Sequence, residues 1–187
     1  LEVMRQIKSK MGRLPTETIV IVVSNPVDIL THFIAQEWGL GRGQVFGTGT
    51  ILDSARLRRA LSEKFQVHPN STHGWVLGEH GQSAFVAWST VKIGGINAHE
   101  KHFAASIKNE LEILVRKKAF EIIERKGATY FGIATCIAEI VWTILADTKR
   151  VFPLSVPLSG EYGLHKVALG VPVILGIKGV EKIMEVA

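Results

Sequence analysis

The chain is poor in cysteine, since Cys136 is the only one among 187 residues. A single thiol excludes an intrachain disulfide and fits a reducing compartment, so we expect a cytoplasmic protein. Long hydrophobic runs are absent as well, because runs such as residues 19–23 have the length of a strand rather than of a membrane span. The sequence therefore predicts a protein that has no membrane partner.

The chain also lacks the blocks of basic residues that are typical of nucleic-acid-binding proteins. Its net charge is +5, from 22 basic and 17 acidic residues, but the basic residues are scattered along the sequence. A small anionic ligand suits this charge equally well, and we predict neither a nucleic-acid partner nor a metal site. The contents of 47% hydrophobic and 21% charged residues are typical of a globular protein.

The hydrophobic pattern predicts alternating helices and strands. Residues 18–24 contain an apolar run without alternation, which is typical of a strand buried on both faces in a parallel sheet. The other predicted strands are 45–50, 73–79, 85–91, 151–158 and 167–175, and the predicted helices are 1–11, 28–38, 52–65, 100–126 and 129–147. We therefore predict an α/β fold at the start of the chain and a mixed α+β fold after about residue 50.

A histidine, His80, lies in the glycine-flanked turn of a predicted hairpin. Asp53 and Arg56 are three residues apart on a predicted helix, so their side chains point the same way, whereas Arg58 lies about 200° round the helix from Arg56. His73 and His80 have an odd separation, and such residues lie on opposite faces of a strand. The pattern thus favours one group of Asp53, Arg56 and His80, and a second group of Arg58 and His73.

The first group contains the residue types that proton transfer to a bound 2-keto acid requires. An imidazole exchanges a proton near neutral pH, a carboxylate on its far nitrogen orients it, and an arginine holds a substrate carboxylate with two hydrogen bonds. The second group suits a phosphate. Two simpler interpretations stay open from spacing alone: a surface ion pair worth ~0.2–0.5 kcal/mol for the first group, and a solvated basic patch for the second.

Five stretches, in this order, carry a more specific pattern: Ser24-Asn-Pro-Val-Asp-Ile-Leu-Thr31, Gly47-Thr-Gly-Thr-Ile-Leu-Asp-Ser-Ala-Arg56, Gly78-Glu-His-Gly81, Lys126-Gly-Ala-Thr-Tyr-Phe-Gly-Ile133 and Pro153-Leu-Ser-Val-Pro-Leu-Ser-Gly160. Together they resemble the L-lactate dehydrogenases of the lactate/malate dehydrogenase family. The resemblance implies NADH-dependent reduction of pyruvate to L-lactate in glycolysis and fermentation. It also implies a cytoplasmic homotetramer.

The resemblance implies a role for each matching residue. His80 would donate the proton, Asp53 would orient it, and Arg56 would bind the substrate carboxylate. The other implied contacts are Asn25 and Thr129 with the substrate; Ser24, Asn25, Thr48 and Ile133 with the cofactor NAD; and Arg58 and His73 with fructose 1,6-bisphosphate, an allosteric activator of many bacterial relatives.

The sequence departs from the family in what it lacks. It has no Gly-x-Gly-x-x-Gly turn after a strand to bind the NAD pyrophosphate, and no mobile loop with a ketone-polarising arginine. The resemblance therefore implies that residues 1–50 are the end of a Rossmann-type NAD-binding domain and that residues 51–187 are the substrate domain. We expect the isolated chain to be an incomplete and inactive part of the enzyme. Gln82 stands where the family usually has aspartate.

Other functions remain open. A branched-chain L-2-hydroxyacid dehydrogenase or a malate dehydrogenase would share the same chemistry, although Glu79 before His80 favours lactate over malate dehydrogenases, which commonly have glycine there. A function of another class is a catalytically silent module that binds an anion or a partner.

Overall fold

The computed structural model describes residues 1–97 and 103–186. Within them the strands are β1 (Val20–Val22), β2 (Val45–Gly47), β3 (Thr72–Leu77), β4 (Phe85–Ile93), β5 (Ile96–Asn97), β6 (Arg150–Ser159), β7 (His165–Gly176) and β8 (Gly179–Ile183). The α-helices are α1 (Glu2–Met11), α2 (Val27–Glu37), α3 (Ile51–Phe65), α4 (Ala105–Lys126) and α5 (Phe131–Leu145). This mixture of helices and strands agrees with the predicted fold class.

The larger sheet has five strands in the order β1-β2-β6-β7-β8. Strands β1 and β2 pair in parallel, as the unalternated apolar run of residues 18–24 predicts, and β2 then pairs antiparallel with β6 at Gly47 and Ser155. Strands β6, β7 and β8 form an antiparallel meander. Because this sheet joins strands from both sides of residue 50, the division into segments 1–50 and 51–187 stays a prediction.

The smaller sheet is formed by β3, β4 and β5. Strands β3 and β4 form the predicted hairpin, in which Trp75 pairs with Ala87 and Leu77 with Phe85. The strand ends at Leu77 rather than at residue 79, and its register shifts between His73 and Trp75. The alternation of side chains between the two faces of a strand does not extend from His73 to His80, because a bulge and a turn interrupt it. This alternation is therefore the wrong basis for separating the two histidines.

Of the three hydrophobic cores among the described residues, two hold α3 and α5 against the sheets. Helix α3 buries Leu57 and Leu61 against Val76 and Val91 of the smaller sheet and Leu111 of α4. Helix α5 buries its apolar side, including Cys136, against strands β6 and β7 of the larger sheet. Helix α3 thus lies between the two sheets, and its first turn faces the region where both sheets meet.

Several predicted boundaries differ from the observed ones. Helix α4 begins at Ala105 rather than at residue 100, and residues 98–102 lie outside the described part of the chain. Strands β5 and β8 were not predicted, because both are short and largely polar and are formed by pairing with a neighbouring strand rather than by a hydrophobic pattern. Among the described helices, none combines the length and apolarity that a membrane span needs.

Candidate active site

The turn after β3 carries His80 and is anchored to the larger sheet. Gly78 and Gly170 of β7 exchange two backbone hydrogen bonds, with N···O distances of 2.9 and 2.8 Å. The backbone of Gly78 has a φ of +90°, and a Cβ at Gly170 would lie 2.6 Å from Thr50 Oγ1. Both positions therefore require glycine, the first for its conformation and the second for the close approach.

His80, Asp53 and Arg56 are brought together at the start of α3. Asp53 Oδ2 accepts a hydrogen bond from His80 Nδ1 at 2.7 Å, and Asp53 Oδ1 accepts one from Arg56 Nη1 at 3.1 Å. The carboxylate thus uses one oxygen for each cationic partner. Because Nδ1 bonds to Asp53, the other ring nitrogen, Nε2, lies on the side of the ring that points away from the carboxylate.

The hydrogen bond that His80 Nδ1 donates to the Asp53 carboxylate raises the pKa of His80 above the ordinary value of histidine. Burial of the ring and the positive charge of Arg56 act in the opposite direction, while the charges of Asp53 and Asp28 add to the increase. The net result is a histidine that keeps its proton to higher pH than a free imidazole. A group of this kind can act as a general acid near neutral pH.

A cavity of about 470 Å³ opens beside these three residues. Its apolar wall is made by Val76, Ala84, Phe85, Val86, Val115 and Ala119. Its polar lining consists of Asn25, Asp53, Arg56, His80, Gln82, Glu112 and Arg116. A mostly apolar concavity with a few converging polar groups is typical of a site for a small organic ligand. A larger cavity of about 680 Å³, between α2, β6 and β8, contains none of the predicted site residues.

Of the residues predicted to contact the cofactor or the substrate, some line the cavity and others lie elsewhere. Asn25 is exposed, has a cis peptide bond to Pro26 and lines the cavity, and Ser24 precedes it just after β1. Thr48 follows β2, is buried and donates its N–H to Val22 O at 2.9 Å. Thr129 precedes α5, while Ile133 in its first turn packs on the core of the larger sheet. The described residues that line the cavity do not include Ser24, Thr48, Thr129 or Ile133.

Arg58 and His73 lie apart from this cavity but close to each other. The hydroxyl of Thr72, the neighbour of His73, donates a hydrogen bond to the carbonyl oxygen of Arg58 at 3.1 Å. His73 is exposed and Arg58 is half-buried. The backbone of Arg58 is therefore bonded to the residue next to His73, and neither Arg58 nor His73 lines the cavity.

Four polar residues around the site were missed by the sequence analysis. Glu112 and Arg116 on α4 line the cavity and form an ion pair at 3.0 Å, and Glu112 also accepts a hydrogen bond from Trp88 Nε1 at 2.8 Å. Asp28 and Ser155 lie beneath the His80 turn and are buried. An acidic residue within the otherwise apolar start of α2 was the signal that could have identified Asp28.

Comparisons with known proteins agree on one family. The model of the lactate/malate dehydrogenase, alpha/beta C-terminal domain, matches residues 50–187. The L-lactate dehydrogenase of Mesomycoplasma hyopneumoniae (strain 232) is 43% identical over 192 residues, covering 100% of this chain and 61% of that protein. L-lactate dehydrogenase 1 of Bifidobacterium longum (strain NCC 2705) is 43% identical over 173 residues, covering 89% of this chain and 55% of that protein.

A solved structure shows the same similarity. The crystal structure of the minor L-lactate dehydrogenase from Enterococcus mundtii, in its ligands-bound form, has a TM-score of 0.91 and 39% sequence identity. The match covers 100% of this chain and 61% of that one. The chain thus spans less than two thirds of the length of each of these relatives.

Proposed function

We propose that this chain, which belongs to the lactate/malate dehydrogenase family, is the part of an L-lactate dehydrogenase that binds pyruvate and donates a proton to it. The complete reaction converts pyruvate, NADH and a proton into L-lactate and NAD⁺. The observation that carries the proposal is the meeting of His80, Asp53 and Arg56 at one cavity. Since the chain spans 61% of its Mesomycoplasma relative, the activity is proposed for a longer protein.

Arg56 would bind the substrate by its carboxylate. A guanidinium presents five N–H donors in a planar fork, and among the described residues the hydrogen bond found for this fork is the one to Asp53. The remaining donors can hold a carboxylate with two parallel hydrogen bonds. A carboxylate bound in this way places the adjacent ketone carbon of a 2-keto acid in the cavity that His80 also lines.

His80 would supply the proton for the ketone oxygen. NADH, when bound, supplies the hydride that reduces the ketone carbon. His80 Nε2 then gives its proton to the oxygen and the imidazolium becomes a neutral imidazole. Asp53 holds the ring by Nδ1 and favours the charged form before transfer, so the donor is both oriented and protonated. Phe85 and Val86 form part of the apolar wall of the cavity beside these groups.

The residues present fit the nicotinamide end of NAD. Ser24 and Asn25 follow β1, Thr48 follows β2, and these two strands are parallel neighbours. Ligands of α/β sheets bind beyond the carboxyl ends of parallel strands, which is where these residues lie. Asn25 also lines the cavity beside His80, so it can contact both the cofactor and the substrate. The sequence has no glycine-rich turn for the pyrophosphate.

The test uses this chain fused behind the N-terminal part of the Mesomycoplasma relative that it does not match; we call this the fused protein. His80→Asn should lower kcat for pyruvate reduction by about 10²–10⁴, the usual contribution of a general acid, while the Kd for NADH stays within about threefold. His165→Asn, which changes an exposed histidine on β7, is the matched control. Near-normal pyruvate reduction by His80→Asn would remove His80 from the mechanism.

The substrate is proposed to be pyruvate rather than a longer or dicarboxylic keto acid, because the relatives of 43% identity are L-lactate dehydrogenases. The fused protein should have a higher kcat/KM for pyruvate than for 4-methyl-2-oxopentanoate or oxaloacetate. Preference for 4-methyl-2-oxopentanoate would instead identify a branched-chain 2-hydroxyacid dehydrogenase, and preference for oxaloacetate a malate dehydrogenase.

An allosteric anion site at Arg58 and His73 is a separate proposal. Its support is that the hydroxyl of Thr72, the neighbour of His73, bonds to the backbone carbonyl of Arg58, and that neither basic residue lines the substrate cavity. Fructose 1,6-bisphosphate should raise the thermal stability of the fused protein, and the double variant Arg58→Gln/His73→Gln should lose that increase. Equal stabilisation of both proteins would exclude this site. The homotetramer and cytoplasmic location implied by the family are also proposals.

A further inference from the structure

We propose that Asp28 and Ser155 form a buried tether that positions the backbone of His80 for proton transfer. This inference rests on the proposed function of His80, and it assigns Asp28 the role of a positioning residue. Asp28 Oδ2 accepts a hydrogen bond from the backbone N–H of His80 at 2.8 Å. Asp28 Oδ1 accepts one from the hydroxyl of Ser155 at 2.6 Å.

The tether connects three parts of the chain that are distant in sequence. Asp28 is in the first turn of α2, Ser155 is in the middle of β6, and His80 is in the β3–β4 turn. The two bonds span sequence separations of 52 and 127 residues. Ser155 is itself fixed, because it pairs with Gly47 of β2 and with Gly170 of β7.

The tether adds a third set of hydrogen bonds to the two that already hold the His80 turn in place. Two residues before the histidine, Gly78 is bonded to Gly170 by both its N–H and its carbonyl. Beyond the backbone, Asp53 holds the ring by Nδ1. Without Asp28, no hydrogen bond among the described residues would connect the N–H of His80 to a sheet or a helix. With it, the backbone of His80 is held through its own N–H, while Asp53 holds the ring through Nδ1.

Asp28 is a buried carboxylate whose two oxygens each accept a hydrogen bond. Its side chain belongs to a residue that is only 8% exposed, and Ser155 is fully buried. Burial raises the pKa of Asp28, while the bonds from Ser155 and His80 favour its charged form. A buried carboxylate is costly unless donors satisfy it, and here each oxygen has one. An amide oxygen at this position could accept the same N–H bond. What a carboxylate adds is a negative charge close to the imidazolium.

The charged groups around His80 come from every neighbouring element. Helix α3 contributes Asp53 and Arg56, and α2 contributes Asp28. The turn contributes Glu79, which also faces Asp28, and α4 contributes the Glu112–Arg116 pair on the far side of the cavity. Because Asp53 is in direct contact with the ring and Asp28 contacts only the backbone, we expect Asp28 to have the smaller electrostatic effect.

Two substitutions of Asp28 separate the charge from the tether. Asp28→Asn keeps an oxygen for the His80 N–H and an amide that can donate to Ser155, so it removes mainly the charge. In the fused protein it should move the pH at which pyruvate reduction is half lost downward by roughly 0.5, with kcat at low pH nearly retained. Asp28→Ala removes both bonds and should lower kcat at least about tenfold, with KM for pyruvate within about threefold.

Two serine variants provide the comparison. Ser155→Ala removes one of the two bonds and should give a loss of kcat between those of Asp28→Asn and Asp28→Ala. Ser62→Ala removes a buried hydroxyl-to-backbone bond of 2.6 Å at the far end of α3 and is the matched control for general destabilisation. The tether is refuted if Asp28→Ala and Ser155→Ala lower thermal stability as Ser62→Ala does but leave kcat and the pH profile unchanged.

A second measurement is independent of activity. The pKa of His80 can be followed by NMR in the 187-residue chain labelled at histidine, with the His80→Asn variant identifying its signal among the seven histidines. Asp28→Asn should lower this pKa, and an unchanged value refutes the electrostatic contribution even if Asp28→Ala does not fold. If the wild-type fused protein does not reduce pyruvate, the proposed function fails, whereas the NMR result still decides whether Asp28 acts on His80.

Discussion

Replacing Asp53 with asparagine should weaken His80 as an acid in a measurable and calculable way. The substitution keeps the size of the side chain and an oxygen that can accept a hydrogen bond from His80 Nδ1. It removes the negative charge 2.7 Å from that nitrogen, in a pair whose side chains are only 12% and 28% exposed. Because Arg56 also donates to Asp53, the same change leaves Arg56 without its carboxylate partner.

The expected size follows from the kind of hydrogen bond that is lost. A bond involving a charged group contributes about 1.5–3 kcal/mol, whereas a neutral bond contributes about 0.5–1.5 kcal/mol. The imidazolium therefore loses about 1–1.5 kcal/mol of stabilisation relative to the neutral ring. Since about 1.4 kcal/mol is a tenfold change in a protonation equilibrium, we expect the pKa of His80 to fall by about 1.

The assay is the pH dependence of pyruvate reduction by the fused protein, together with NMR titration of His80. Reduction needs the imidazolium, so the rate of the wild type falls as pH rises through the raised pKa of His80, and the rate of Asp53→Asn should fall at a pH lower by about 1. Glu63→Gln makes the same charge change on α3 in an exposed pair with Arg59 and should have no effect. An unchanged or higher pKa of His80 in Asp53→Asn would refute this reasoning.

The same shift predicts how stability depends on pH. The pKa of His80 is higher in the folded chain than in the unfolded one, so the folded state binds more protons between the two values. The stabilisation from this pair is therefore fully present below the unfolded value of about 6.5 and is lost as pH rises through the folded one. Asp53→Asn should remove most of this pH dependence, which urea unfolding at several pH values will measure.

Three further predictions follow from the packing and chemistry of single residues. Arg56→Lys should raise KM for pyruvate at least about tenfold, because an ammonium cannot form two parallel bonds with a carboxylate; an unchanged KM would contradict its binding role. Leu57→Ala should reduce the free energy of unfolding by about 2–5 kcal/mol in urea titrations, because the side chain is 0% exposed. The control Leu145→Ala, at 75% exposure, should cost less than about 0.5 kcal/mol, and equal losses would refute the burial argument. Burial raises the pKa of Cys136 to about 11, so at pH 8 iodoacetamide should modify the folded chain about 100-fold more slowly than the unfolded chain.

The sequence predicts most of the secondary structure because hydrophobic periodicity is a local property. Helices α2, α3 and α5 lie within about two residues of their predicted bounds, and the β3–β4 hairpin was predicted from its glycine turn. The family inferred from the ordered motifs is confirmed by the match of residues 50–187 and by relatives of 43% identity. The prediction omitted strands that form by pairing with a neighbouring strand, such as β8, which pairs with β7.

Only part of the candidate site could be predicted from the sequence. Asp53 and Arg56 share a helix face, so their proximity follows from spacing, and the structure places both beside His80. Strand parity was the wrong basis for separating His73 from His80, because the strand ends at Leu77 and is bulged. The roles inferred for Thr48, Thr129 and Ile133 stay predictions.

By itself, the sequence determined which residue types were available and which helices and strands carry them. It also placed the chain in a family, because five ordered motifs are far more specific than any one of them. Only the tertiary structure decided that Asp28 and Ser155 meet beneath His80, and that Gly78 is bonded to Gly170. Periodicity constrains neighbours within a few residues, whereas these contacts depend on strand order and on how α2 crosses the sheet. The partners of the histidine side chain were therefore predictable, and those of its backbone were not.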